Sequence, residues 1–225
     1  MRSRDEPRPV RIPRASGRAT AAQTRAYAAR ADALAPQLRA EIATVPARPH
    51  GRPALVVIMG LPGAGKSHCA RLLCARLGAA HVASDELRSR LFIAASYTDD
   101  ENRAVFAAAA ALVDSLLAEG HRVVVDATNL LARNRAAAVA VARRRGAPVI
   151  YVRVSASDDE VRARLRSRRA ARAANDHSDA DERVYERMRA AAFEPPAEGF
   201  LEVVNGPELV RDLARVAEAV EAFDR

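Results

Sequence analysis

Tryptophan is absent, cysteine occurs twice, and lysine occurs once. No apolar run approaches the roughly 18 to 20 residues that a membrane-spanning helix needs, so a helical membrane protein is excluded. The two thiols, Cys69 and Cys74, are too few for a disulfide framework or a four-cysteine zinc site. They lie five apart on an expected helix, pointing to different faces, and read as core thiols of a reducing, cytoplasmic compartment. The N-terminus is basic but has no apolar h-region, which argues against a secretory signal. The scarcity of lysine is the oddest gap. Of 36 Lys+Arg, 35 are arginine, and Lys66 is the single exception.

Alanine and arginine fill the chain instead, with 52 alanines among 225 residues. That length favours one domain with room for an appendage. The net charge is +8, but residues 1–53 carry +7 of it and residues 54–225 only +1. The basic excess therefore belongs to an extension, and the near-neutral body gives little reason to expect a nucleic-acid groove.

Residues 1–19 mix arginine and proline with two lone aliphatics, Val10 and Ile12. Such a segment buries too little apolar surface to offset its ordering entropy, so a disordered basic tail is expected. Residues 20–53 read as an alanine-rich helical extension, interrupted by Pro36, followed by a linker containing Pro46, Pro49, Gly51 and Pro53. The helix either caps the body or serves a partner. From residue 54 to residue 225 short apolar strands alternate with helices, beginning with ALVVIMG (54–60) and including RVVVDAT (122–128) and PVIYVRV (148–154). This alternation predicts an α/β fold with a parallel sheet covered on both faces.

Gly60-Leu61-Pro62-Gly63-Ala64-Gly65-Lys66-Ser67 matches G-x-x-x-x-G-K-[ST], set between an apolar strand and a helix. The glycines let the backbone fold into a nest of N–H groups for the β-phosphate, and the next helix, from Lys66 through His68, adds its first amides and the positive end of its dipole. Lys66 would reach the β- and γ-phosphates and Ser67 would ligate Mg²⁺. The lysine census supports this. A guanidinium is a broad planar fork where the loop calls for a compact cation, so the one lysine stands where arginine does not serve.

Three further sites carry candidate chemistry, each with a plainer alternative. Asp126 ends an apolar strand where a carboxylate would hold Ser67 or a magnesium-bound water; otherwise it caps the next turn. Ala127 follows it rather than glutamate, which tells against a motor ATPase, and no ABC-type signature is present. Asp85, in Ser84-Asp85-Glu86-Leu87-Arg88 after the second strand, would face the ligand crevice and accept a proton from an acceptor hydroxyl. Arg88, one turn on, would hold the acceptor. The alternative is that Ser84 or Asp85 caps a short helix. Arg164 and Arg168 lie four apart on an arginine-rich helix opening with Asp158-Asp159-Glu160, and form either a cationic lid over the phosphates or one face of a solvated helix. His68, His81 and His121 lack metal-ligand spacing and are assigned no side-chain role. Tyr97, Asp99, Asp100 and Glu101 would either grip an acceptor or form a polar helix entry.

Together, strand–GLPGAGKS–helix, SDELR, VVVDATN and the R-x-x-x-R pair resemble the P-loop kinases related to polynucleotide 5′-hydroxyl kinases. That group includes zeta-toxin-like sugar-nucleotide kinases and small kinases of unassigned substrate. The likeness covers residues 54–205. It implies a five-stranded parallel sheet with the loop strand central, ATP and Mg²⁺ as donor, and a lid near residues 158–192 carrying Arg164 and Arg168. It also implies Asp85 as the acceptor-side base, Arg88 beside it, and Asp126, Thr128 and Asn129 next to the loop, with Arg135 on the helix behind. Phe193-Glu194-Pro195-Pro196 looks like the small-kinase branch and Glu198-Gly199-Phe200 like the polynucleotide branch. The acceptor thus stays open between a small-molecule hydroxyl, the leading expectation, and a nucleic-acid 5′-hydroxyl. The rival of another class is an ATP-binding switch or assembly protein.

Overall fold

The computed structural model describes residues 37–40, 45–92, 98–171, 179–190 and 193–225, with the side chains of 168–171 and 179–183 left out. The expected basic tail and most of the helical extension lie outside the described residues, as does Tyr97.

Strand β1 (Leu55–Met59) is buried along its whole length. Five apolar residues in a row, without alternation, are what a strand needs when helices cover both of its faces. The chain continues through α1 (Lys66–Leu77), β2 (Ala80–Ala83), α2 (Ser84–Leu91), α3 (Asp99–Ala118), β3 (Val123–Asp126) and α4 (Ala132–Arg144). It then runs through β4 (Val149–Ser155), α5 (Asp158–Ala171), α6 (Asp179–Ala190), β5 (Leu201–Val204) and α7 (Leu209–Glu221), ending in a 3₁₀ turn at Ala222–Asp224.

All pairings are parallel, in the order β2-β3-β1-β4-β5. The loop strand is central, as the family resemblance implied. From β1 the chain goes to the edge strand β2, returns to β3 beside β1, then crosses to β4 on the other side. The order therefore reverses at β1, and a crevice opens at the carboxyl ends of the strands there.

Two apolar layers hold the helices. On one face Val56, Ile58, Val124, Val152, Val154 and Val203 pack under α1 and α7. On the other, Leu55, Val57, Val123, Val125 and Tyr151 pack under α3 and α4. Alanine explains the tightness of the second layer. Ala104, Ala108 and Ala109 of α3 and Ala138 and Ala142 of α4 are buried, and side chains this short let helices approach closely. The acidic first turn of α3 suits the helix dipole, and Thr98 caps it by accepting from the Glu101 N–H at 3.2 Å.

The sequence placed Cys69 and Cys74 on different faces of α1. Both are buried in one cluster, because α1 is flanked by the sheet and by α7. Burial pushes their thiols up to about 11 and about 12, so both remain neutral core groups.

The segment before β1 is tied down at two points. Leu38 is buried in the core, and Arg39 pairs with Glu119. Arg122, only 1% exposed, pairs with Asp224 and donates to the Leu77 carbonyl at 3.3 Å. Asp224 also accepts from the Arg52 N–H at 2.8 Å, fastening the linker to the 3₁₀ turn. No helix among the described residues is long and apolar enough to cross a membrane.

Candidate active site

The loop between β1 and α1 is folded by its own backbone. The Gly60 N–H donates to the Thr128 carbonyl at 3.0 Å, anchoring the loop to the segment after β3. The Ala64 N–H closes a turn onto Leu61 O at 3.2 Å, and the N–H groups of His68 and Cys69 both reach Gly65 O at 3.1 Å. The Lys66 side chain curls back over the loop, its Nζ donating to Leu61 O at 3.0 Å. The earliest amides of α1 have no acceptor within the helix and are aimed at the loop mouth, as at any helix start. Leu61 and Pro62 are half-buried, whereas the His68 ring is exposed.

Close approach dictates two of the glycines. Gly65 has φ +94°, and a Cβ there would lie 1.8 Å from Asn205 Nδ2. Gly63 has φ +80°, and a Cβ would lie 2.9 Å from Val161 Cγ1 of α5. Both contacts come from outside the motif. Asn205 donates to Ala64 O from the end of β5, and Val161, Leu165 and Tyr185 form a small apolar cluster with Leu61 that seats α5 and α6 on the loop. Tyr185 donates to Asp158 Oδ1 at 2.9 Å, and Arg162 pairs with Glu186, so α5 and α6 are joined by polar contacts as well.

Asp126 is 4% exposed at the carboxyl end of β3 and is hydrogen-bonded to Ser67 and to His81. His81 Nε2 lies 3.3 Å from Asp126 Oδ2. Burial pushes the Asp126 carboxyl up, but the His81 and Ser67 hydrogen bonds and the Lys66 charge outweigh it. The group is held below its ordinary value of 3.8. An anion is thus kept beside the phosphate loop. Among the described residues no three His, Cys, Asp or Glu converge as a metal cage. One carboxylate and one hydroxyl suit magnesium, which keeps waters and takes its remaining ligands from substrate phosphates. The donors present fit that ion.

Arg164 of α5 stands over the loop. Arg164 NH1 is 3.4 Å from Gly63 O and 3.5 Å from Ala64 O, while NH2 is 3.5 Å from Asn205 O and from Glu160 Oε1. The Arg168 side chain lies outside the described set. Asp85 is exposed in the first turn of α2, immediately past the carboxyl end of β2. Neither Ser84 nor Asp85 caps that helix; its N-cap is Ala83, with no side-chain bond. Arg88 is buried in the seam between α2 and α3, donating to Asn102 Oδ1 at 2.7 Å with Glu101 Oε2 at 3.6 Å. Asp100 pairs with Arg103, so the acidic start of α3 also has neighbours within its own helix.

Behind the loop, Asn129 takes φ +46° and donates from Nδ2 to Ile58 O at 2.9 Å. Arg135 NH1 donates to Asn129 O at 2.9 Å, and the Ala132 N–H that opens α4 donates to Glu194 Oε2 at 2.6 Å. The structure thus gathers Lys66, Ser67, Asp126 and Arg164 at one loop. It adds His81, Asn205 and Val161, which sequence reasoning passed over. The signals were present: a histidine inside the four-residue strand AHVA, and an asparagine where a parallel strand meets the crevice.

The fold is shared with solved kinases and with other nucleotide-bound proteins. The APS kinase of Mycobacterium tuberculosis, solved with AMPPNP and APS, is 22% identical with a TM-score of 0.56, over 76% of this chain and 99% of that one. Kti12 of Chaetomium thermophilum, solved with ADP-AlF3, is 20% identical with a TM-score of 0.57, over 76% and 99%. A gluconokinase of Sinorhizobium meliloti 1021 is 22% identical with a TM-score of 0.53, over 78% and 100%. At such identities the likeness is one of fold. No curated protein sequence matches the chain. The P-loop resemblance read from the motifs holds at the level of family and fold. A family model described as an AAA domain matches residues 55–196, more than half of the length, and the chain belongs to that family.

Proposed function

We propose that the protein is an ATP-dependent kinase that transfers the γ-phosphate of ATP to the hydroxyl of a small-molecule acceptor. The observation that carries this is the approach of Arg164 to the carbonyls of Gly63 and Ala64, which sets a lid cation over the loop that holds Lys66. Phosphoryl transfer leaves little covalent work to the protein. Rate comes from positioning and from charges placed where the transferring group becomes more negative.

Lys66 and the loop amides would hold the β- and γ-phosphates. Ser67 and Asp126 would hold magnesium, which supplies charge neutralisation across the phosphate oxygens when bound. Asp85 would orient the acceptor hydroxyl. As the acceptor oxygen bonds to the γ-phosphorus and the bond to the β-phosphate bridging oxygen breaks, the hydroxyl proton passes to Asp85 and ADP leaves. A loose transition state makes that proton loss late, so an ordinary exposed carboxylate suffices. Arg164, with Arg168, would stabilise the charge on the transferring oxygens, and Arg88 would shape the acceptor side.

The near-neutral body supports a small acceptor over a nucleic-acid 5′-hydroxyl. The switch alternative draws on the seating of Val161 and Leu165 against Gly63, through which loop occupancy would be felt by the lid. γ-labelled ATP offered against 5′-hydroxyl oligonucleotides, nucleosides, sugars and aminoglycosides separates the three. Label on a small molecule is the expected result. Label on oligonucleotides alone would move the acceptor to nucleic acid. ATP binding with no labelled acceptor would favour the switch.

A further inference from the structure

We propose that His81 is a positioning residue for the cation of Mg·ATP: by holding the Asp126 carboxylate from the β2 side, it presets that carboxylate and the Ser67 hydroxyl for magnesium. This rests on the assignment of Ser67 and Asp126 given above.

His81 has an unexpected place. It is 7% exposed in the middle of β2, paired in register with Val124 of β3, while Ala83, two residues on, pairs with Asp126. Residues two apart on a strand share a face, so His81, Val124 and Asp126 all lie on the side covered by α1. The neighbouring positions on that face are aliphatic, including Val56, Ile58 and Val124. An imidazole buried there costs free energy unless its ring N–H finds a partner. The partner is Asp126 Oδ2, at 3.3 Å.

The direction of the bond follows from charge. The partner atom is a carboxylate oxygen, and a carboxylate can only accept. The proton therefore sits on His81 Nε2, and the carboxylate receives hydrogen bonds from two elements: β2 through His81, and the first turn of α1 through Ser67. A carboxylate bonded from one side only would turn about its own side chain. Bonded from both, it keeps one orientation relative to the loop before any nucleotide arrives. Outer partners of this kind typically alter metal affinity by about 10- to 100-fold when removed.

The test compares calorimetric ATP binding by the full chain, with magnesium and with EDTA, for the natural protein, H81L and H81Q. Leucine is close in size but has no N–H, whereas glutamine carries one at about the reach of the imidazole Nε2. H81L is expected to lose about 10-fold or more of the affinity that magnesium adds, with metal-free ATP binding unchanged. H81Q is expected to regain most of it. A thermal melt of each variant checks the fold, and H81A replaces H81L if leucine does not fold. A folded H81L with the natural magnesium gain would overturn the role given to His81. A natural protein whose ATP affinity ignores magnesium would instead overturn the assignment of Ser67 and Asp126, and this inference with it.

Discussion

Asn205 donates from Nδ2 to the carbonyl oxygen of Ala64 at 3.0 Å, joining the end of β5 to the phosphate loop. The bond is set from below. The Asn205 N–H donates to Ser155 O at 2.8 Å, and the buried Asp212 of α7 accepts the Val204 N–H at 3.2 Å. The loop is thus braced by an element 141 residues away in sequence.

That brace makes Gly65 and Asn205 interdependent. Gly65→Ala forces a side chain into a left-handed backbone and against Asn205. A loss of about 2 kcal/mol or more is expected, since the backbone conformation alone costs roughly 1–2. Asn205→Ala strips Ala64 O of its shorter donor, leaving only Arg164 NH1 at 3.5 Å, at a cost of about 1 kcal/mol. The double variant should lose less than the sum, because the collision is gone. Urea denaturation of the three variants checks this, and strict additivity would contradict it.

Lys66→Ala should abolish the thermal stabilisation given by ATP with magnesium, and Lys66→Arg should do so nearly as completely. The second expectation is the sharper. Charge is kept, but a planar guanidinium replaces the compact head that reaches Leu61 O. Full stabilisation of the arginine variant would show that charge alone suffices.

Arg164→Ala should slow phosphoryl transfer by up to about 10³-fold, while ATP affinity falls far less. Single-turnover kinetics beside equilibrium binding separates the two effects. Equal losses in both would make Arg164 a ground-state contact.

Asp85→Ala should leave ATP binding almost intact and remove transfer, because Asp85 stands exposed at the end of β2, away from the loop contacts. Transfer to the true acceptor that survived this change would dismiss the proposed base.

Asp224 supplies a pH signature. The Arg52 N–H and then the Arg122 guanidinium hold its carboxyl below the ordinary 3.8. A depressed folded-state value stabilises above the unfolded one and is lost as pH falls through the folded one. Asp224→Asn should therefore cost about 1 kcal/mol or less near neutrality, because solvent screens so exposed a carboxylate. The gap to the natural protein should close below about pH 4. Urea melts at several pH values read the difference; a gap constant down to about pH 2 would count against the pairing.

Much of this was legible in the sequence, for a physical reason. The β1 run, the glycine-lysine-serine loop and the alternation of strands with helices are local patterns, and local spacing dictates them. Asp126 was visible because a carboxylate ending an apolar strand is costly without a use. His81 and Asn205 were not, because their partners are fixed by strand register across 45 and 141 residues. Arg88 shows the converse. Its spacing from Asp85 pointed to the acceptor, while the packing of α2 on α3 also engages it with Asn102 and Glu101. The reading of the two thiols as core groups holds, and the cover that α7 gives to the flank of α1 is what lets residues on different faces of one helix both be buried.

The lone lysine has a practical corollary. Reagents that acylate side-chain amines find one address in the whole polypeptide, and it lies half-buried in the phosphate loop with its amine on Leu61 O. Labelling read at the Lys66 peptide, with and without a protecting triphosphate, therefore reports the occupancy of that single pocket, the α-amine being scored on a different peptide.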